Sequence, residues 1–376
     1  MKYRFLLLLV AVLITSNCSK ESSDLVLSEK DITDVELKDI SSDIEIYPIK
    51  SSHPMKKVDY YQSFGNYLFL KSEDSRTIYC VEGDSVISIL DKGGRGRGEY
   101  NLISSFCYSP NDSLLYVFSD DMSLYTYKGL GFDFIEKAEE MPMLQSMRPL
   151  GGGKLFAYTI IGDNDIEDRY SYNIVDTQSG LMSSSILKMN RLGNFAHMKS
   201  DFYQNNDSLF FCVHRNGKEE LFLYNIEEGK LEEIFEFMYE KKLRIPKRVI
   251  IKDSDNHSEV MRFQNYIRDN NFCIGIRYPI VKDNGNYISF WSLSKIGNRI
   301  FNIWSNGHID RYHIRILGIQ NDIRPNIVIN DNYITIFQDI SREMDGDSNK
   351  RSDLAEKIFL EFDKNKGNPV ILRYKI

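Results

Sequence analysis

The sequence has no Cys-x-x-Cys pair, no His-Glu-x-x-His, no Gly-x-Ser-x-Gly and no Gly-Lys-Ser/Thr. Zinc-knuckle and thioredoxin-like chemistry therefore has no local signature. The same holds for a zincin helix, a nucleophile elbow and a phosphate-binding P-loop. A basic excess is also missing. Lys and Arg number 47 against 54 Asp and Glu, a formal charge of −7, and loss of Lys2 and Arg4 with a leader would give −7 − 2 = −9. Such a balance excludes a general nucleic-acid binder, which needs a basic face. Beyond residue 14 no apolar run approaches the about 20 residues that span a bilayer. Cysteine is sparse: Cys18, Cys80, Cys107, Cys212 and Cys273. The last four are far apart and mostly lie within apolar runs, which fits either disulfides in an exported chain or buried free thiols.

What is present begins with a leader. Lys2 and Arg4 precede the apolar run Phe5–Ile14, and Thr15-Ser16-Asn17-Cys18 follows. A basic start, a short apolar run and small residues before a cysteine define a secretory signal peptide. The junction resembles the bacterial lipobox, in which the cysteine is acylated (palmitate being one such chain) and the leader is cut before it. Residues 1–17 are thus expected to be a lipoprotein signal peptide, with lipid attachment at Cys18. Residues 18–40 are expected to be an acylated cysteine and polar, flexible tether. Residues 41–376 form the body.

The body reads as all-β. Short aromatic and β-branched runs recur, each preceded by a polar turn. The turns are Gly65-Asn66, Asn111-Asp112-Ser113, Gly151-Gly152-Gly153, Asn206-Asp207-Ser208, Asn284-Gly285-Asn286 and Asn330-Asp331-Asn332. Their starts are 46, 40, 55, 78 and 46 residues apart. Propeller blades of four strands repeat about every 40–50 residues. The long spacing is accounted for by an insertion in the charged stretch Met238–Arg262. This predicts a six-bladed β-propeller of mostly four-stranded blades, with a pair of β-sandwiches as the alternative. Hairpins are expected at Thr77–Val81 with Ser85–Leu90, at Leu221–Tyr224 with Leu231–Phe235, and at Lys357–Phe362 with Val370–Tyr374. The strand Ile44–Ile49 has no partner nearby in sequence and is expected to close the ring within the last blade.

Gly93-Gly94-Arg95-Gly96-Arg97-Gly98-Glu99-Tyr100 follows a strand ending at Lys92. It resembles the Gly-Arg-Gly-Pro-Gly-Glu-Tyr signature of six-bladed β-propeller lipoproteins common in gut-type Gram-negative bacteria, with Arg97 in the proline position. Ile44-Glu45-Ile46-Tyr47-Pro48-Ile49 and Asn368-Pro369-Val370 are similar to other motifs of that family. The resemblance implies a fold and an address rather than an activity: an outer-membrane lipoprotein of the cell envelope, periplasmic or surface-facing. Physically, the loop's glycines allow close backbone approach. Arg95, Arg97, Glu99 and Tyr100 are candidate ligand-binding residues for a carboxylate, sulfate or phosphate, beside the reading of a tight blade-connecting loop.

Asp345, Asp347, Asn349, Asp353 and Glu356 occupy positions one, three, five, nine and twelve of a calcium-loop pattern, with Lys350 at the glycine position and no flanking helix apparent. Calcium is the one cofactor the sequence suggests. Gly162–Asp168 is a second acidic loop, and Lys241–Lys252 is basic. Trp291 and Trp304 are either sugar-stacking or core residues. The expected function is a membrane-tethered binding or protein-interaction module, partnered by a glycan, a peptide or an envelope protein. Its ligand would sit at one channel mouth, where inter-strand loops converge. The alternative is a calcium-dependent lactonase- or esterase-like hydrolase. Converging carboxylates at the mouth would favour the enzyme, and an arginine- or aromatic-lined mouth would favour binding.

Overall fold

The computed structural model describes residues 25–27, 32–160, 170–189, 202–205, 207–215, 218–239, 276–283, 286–293, 299–315, 327–329, 331–338, 352–365 and 368–376. Its strands form six sheets, each with four consecutive antiparallel strands, arranged as the blades of a propeller. Blade I comprises Val58–Phe64, Tyr67–Ser72, Thr77–Glu82 and Ser85–Asp91. Blade II comprises Ile103–Ser109, Leu114–Ser119, Leu124–Lys128 and Asp133–Ala138. Blade III runs from Met143–Gly151 through Lys154–Ile160 and Tyr170–Asp176 to Met182–Met189. Blade IV runs from Phe202–Asn205 through Ser208–Arg215 and Lys218–Asn225 to Lys230–Tyr239. Blade V runs from Ile276–Lys282 through Tyr287–Leu293 and Arg299–Ser305 to His308–Arg315. In Blade VI, Ile327–Ile329, Asn332–Phe337 and Val370–Lys375 are completed by Asp43–Pro48 from the other end of the chain.

First strands of neighbouring blades touch, those of III and IV through the hydrogen bond from Arg148 to Phe202 O, and those of VI and I touch as well, so the ring closes. Ring closure therefore uses the strand expected for it: Val370 faces Pro48 and Tyr374 faces Ile44. Pairing the two ends of the chain hides two sheet edges at once.

The six aromatic-rich runs seen in the sequence are the second strands of the six blades. In blades I, II and VI that strand is buried at every position after the first. A strand covered on both faces by neighbouring blades has no solvent side, so it reads as a continuous apolar run. Fourth strands are half-solvated and alternate, as in Asp133–Ala138. Aromatic pairs join the blades: Phe69 with Tyr108 at 5.0 Å between I and II, Tyr172 with Phe211 at 4.5 Å between III and IV, Phe237 with Phe290 at 4.5 Å between IV and V. Such pairs add to the hydrophobic burial that holds the ring. Trp291 belongs to this core, packed on Phe301 and Tyr333, and Trp304 packs edge-on against Phe235. Cys80, Cys107 and Cys212 are buried free thiols. Burial pushes the Cys80 thiol up to about 12 and that of Cys107 higher still, so neither is a thiolate near neutral pH. Cys273 lies outside the described residues.

Two expectations are corrected. Lys357–Phe362 is not a strand. It lies inside a helix, Asp353–Lys364 (α2), whose N-cap Ser352 accepts a hydrogen bond from Ala355 N. Leu354, Ala355, Ile358, Phe359 and Phe362 recur at helical spacing and face the core. The six-residue window reads as a short apolar run, Ile358-Phe359-Leu360, which strands and helices share. The strand partner of Val370–Lys375 is instead Asn332–Phe337.

The second correction concerns the tether. Within 18–40, Leu25–Leu27 pairs in parallel with the outer strand of blade IV, and Thr33–Glu36 pairs in parallel with that of blade V. The short helix α1, Leu37–Ile40, then leads into the closing strand. Lys50 continues the path by bridging to Ser85 on the outer strand of blade I. The segment is thus a belt around four consecutive blades. His313 Nδ1 lies 2.8 Å from Asp34 Oδ1, fixing the belt to blade V. No helix among the described residues is long and apolar enough to cross a membrane.

Candidate functional site

Strands run up and down in each blade, so turns between first and second strands share one face of the ring. The sequence's polar turns are those turns. They frame a cavity of about 760 Å³ at the central channel's mouth. Gly65, Asn111, Gly151 and Asp207 lie on its rim. Its walls are the last residues of first strands: Ser63 and Phe64, Ser109, Pro149 and Leu150, Phe202 to Asn205, and Val328.

Arg148 occupies the middle. It is only 6% exposed, although it lines the cavity. From blade III its guanidinium donates across the channel to blade I, through NH1 to Gln62 Oε1 and Ser63 O, each at 3.2 Å. NH2 donates to Phe202 O of blade IV at 3.1 Å. The group stacks 4.4 Å from the Phe64 ring centre. A buried charge persists only where hydrogen bonds replace water, and the planar five-donor fork of arginine makes several at once. Arg148 therefore both floors the cavity and ties three blades together.

Tyr203 stands beside it. Its hydroxyl donates to the Asp331 carboxylate, which also pairs with Lys282 at 3.4 Å. Burial and the Asp331 carboxylate together hold the Tyr203 phenol well above its ordinary value, so it is a neutral donor. Ser63 Oγ donates to Val328 O at 2.7 Å, fastening blade I to blade VI. The lining is thus aromatic, amide and guanidinium, with Asp207 as the one carboxylate among the described lining residues. The site suits recognition by stacking and hydrogen bonds. Sequence reasoning missed Arg148, Tyr203, Gln204 and Asn205. The signal was there in position: each stands within a few residues before a polar turn, where first strands end.

The residues singled out in the sequence lie elsewhere. The glycine-rich loop connects the last strand of blade I to the first of blade II, on the opposite face. Tyr100 is fully buried, and its hydroxyl donates to Arg76 O at 2.7 Å, so it is a core residue and not a ligand contact. Glu99 folds into its own loop and accepts from Gly96 N at 2.7 Å. A side chain at Gly94 would collide with that carboxylate. Gly98 has φ +72° and lies under the Phe134 ring, where a Cβ has no room. Arg95 and Arg97 remain exposed at the loop's rim. The tight-loop reading therefore describes Glu99 and Tyr100: Tyr100 is buried, and Glu99, though exposed like the two arginines, turns its carboxylate onto its own loop.

The calcium pattern is divided. Asp345, Asp347 and Asn349 lie outside the described residues, as do Gly162–Asp168 and Lys241–Lys252. Asp353 and Glu356 sit in the first turn of α2, where carboxylates complement the helix's positive end. A helix thus follows the pattern directly, contrary to the sequence reading. Among the described residues no three His, Cys, Asp or Glu side chains converge in a metal-holding group. Cys18 also lies outside the described residues.

Comparison with solved structures agrees with the fold. A protein of Bacteroides fragilis NCTC 9343, named provisionally as exported, superposes with a TM-score of 0.67 at 16% identity, covering 93% of this chain and 99% of that one. A member of the DUF4221 family from Bacteroides vulgatus ATCC 8482 gives a TM-score of 0.53 at 11% identity, covering 89% and 97%. At such identities the likeness is one of fold. No curated protein matches the sequence. A family model described as a 6-bladed beta-propeller matches residues 17–291. With six closed blades and a match over most of its length, the chain belongs to the DUF5128 family of six-bladed β-propellers.

Proposed function

We propose that this chain is an exported lipoprotein of the cell envelope, tethered to the outer membrane through Cys18, whose propeller binds a partner at the channel mouth. The partner is a polar segment of an envelope peptide, protein or glycan. The observation that carries the reading is the mouth itself: a pocket of about 760 Å³ combining Phe64 and Phe202 with the polar groups of Arg148, Tyr203, Gln204 and Asn205. Convergent polar groups set in an apolar wall are the general form of a ligand site. The leader and the lipobox-like junction support the address.

The test is a peptide and glycan binding screen on the purified protein, with metal analysis alongside. A ligand whose affinity falls about tenfold in Gln204→Ala/Asn205→Ala, the equivalent of losing roughly 1.4 kcal/mol, supports the mouth. Tightly held calcium with ester or lactone turnover would replace this reading by the hydrolase. For the anchor, Cys18→Ala should move the protein from the membrane fraction to the soluble fraction, and retention in membranes would refute acylation at that residue.

A further inference from the structure

The face opposite the mouth carries a second cleft, of about 590 Å³, between the glycine-rich loop and blade II. Arg95, Arg97, Asn101, Asp121, Phe134 and Lys137 are among its lining residues. Its carboxylates are already engaged. Glu99 accepts from the Gly96 amide, and Asp121 takes the Tyr125 hydroxyl at 2.9 Å and Lys137 at 3.3 Å. Lys137 is further held by Glu139 at 3.0 Å. The two guanidinium groups differ. Both are exposed, and among the described residues neither stands in an ion pair. The backbone that carries them is held on both sides of Arg97: Gly96 N donates to the Glu99 carboxylate and Gly96 O accepts from Glu99 N, while Gly98 is clamped beneath Phe134 and its carbonyl accepts from Tyr127 Oη at 3.0 Å. Two exposed arginines carried on a held backbone beside a half-buried aromatic ring make an oxyanion site with an apolar wall.

We propose that this cleft binds the carboxylate or sulfate group of an acidic sugar, independently of whatever occupies the channel mouth. The forked donors of Arg95 and Arg97 take the oxyanion, and the exposed part of Phe134 carries the sugar ring. Its volume of about 590 Å³ leaves room for a ring or a pair of rings.

Binding is measured by calorimetry with the full-length protein in detergent, against a galacturonic-acid trisaccharide, a sulfated trisaccharide, a neutral trisaccharide and a peptide bearing two adjacent glutamates. At least one anionic sugar should bind, more weakly as salt rises. The neutral sugar should not. Arg95→Gln/Arg97→Gln should weaken that binding by about tenfold or more, and Arg95→Lys/Arg97→Lys, which keeps charge but loses the fork, should fall between. Lys154→Gln/Lys230→Gln, which removes equal charge elsewhere on the ring, should leave it unchanged. The proposal is overturned if neither anionic sugar binds, if the glutamine pair binds as tightly as the parent, or if the neutral sugar or the peptide binds as well as the anionic sugars. Whether the carboxylated or the sulfated sugar binds better identifies which source supplies the group.

Discussion

The outer strands of blades II and III, Asp133–Ala138 and Met182–Met189, have no further strand beyond them among the described residues, whereas those of blades IV and V are each covered by a strand of the N-terminal belt. The two halves of the ring thus protect equivalent edges by different means. Blade II uses its own sequence: Asp133, Glu136 and Lys137 put charge on the edge, and a bulge at Thr126/Tyr127 twists it. Blade III carries bulges at Tyr172/Asn173 and Ile174/Val175. Blades IV and V borrow protection from residues 212 and 279 positions away, as in Leu25 with Phe237 and Thr33 with Tyr312. A blade that covers itself depends on local turns and bulges, and a blade covered by the belt depends on chain ends finding one another.

The largest expected effect comes from removing residues 19–49, which takes away the belt and the closing strand together. Blade VI then keeps three strands, and the protein should show no cooperative melt by circular dichroism. Removing only 19–31 deletes the strand on blade IV and should lower the melting temperature by no more than a few degrees, about 2–4 °C per kcal/mol for a large domain. Equal loss in both truncations would break the comparison, since the belt would then matter as much as closure.

Arg148→Met tests the tie that links the two halves. It keeps a stem over Phe64 but strips donors from Gln62, Ser63 and Phe202. We expect a loss of about 3 kcal/mol in chemical denaturation, more than any belt contact supplies. Gly98→Ala tests the self-contained side. A left-handed φ and contact with Phe134 should together cost about 2 kcal/mol. Asp34→Ala releases the belt from His313. Because Asp34 is largely exposed, the cost should stay below about 1 kcal/mol. A larger loss would mean that the belt is integral to the core.

The smallest effect is one of pH. Burial alone would raise the Asp121 carboxyl, but hydrogen bonds from Tyr125 and Lys137 outweigh it and hold it below its ordinary 3.8. A carboxyl lowered in the folded state stabilises above its unfolded value and loses that stability as pH falls through the folded one. Asp121→Asn should therefore reduce stability slightly at neutral pH and leave it unchanged in strong acid. A uniform loss at all pH values would show that packing, and not charge, is what the residue supplies.

Much of the ring was legible because second strands are buried on both faces and follow polar turns. Ile44–Ile49 was legible as a closing strand because an apolar strand with no local partner needs one elsewhere. The belt was not, since Leu25–Leu27 and Thr33–Glu36 are too short to show a period and lie in polar surroundings. Helix α2 was missed because a short apolar run such as Ile358-Phe359-Leu360 fits a strand as well as a helix. Arg148 was legible in position, just before the turn at Gly151, but not in role. Its role resides in partners 86, 85 and 54 residues away, and no local pattern encodes a contact across a channel.

The belt also bears on mechanics. Tension applied at the N-terminus would reach the propeller first through the three residue pairs on blade IV, then through the four on blade V, and only afterwards through the six that close blade VI. Short zippers in series rupture one after another. The weak ones would absorb extension like a fuse, and each could reseal before the ring is pulled open.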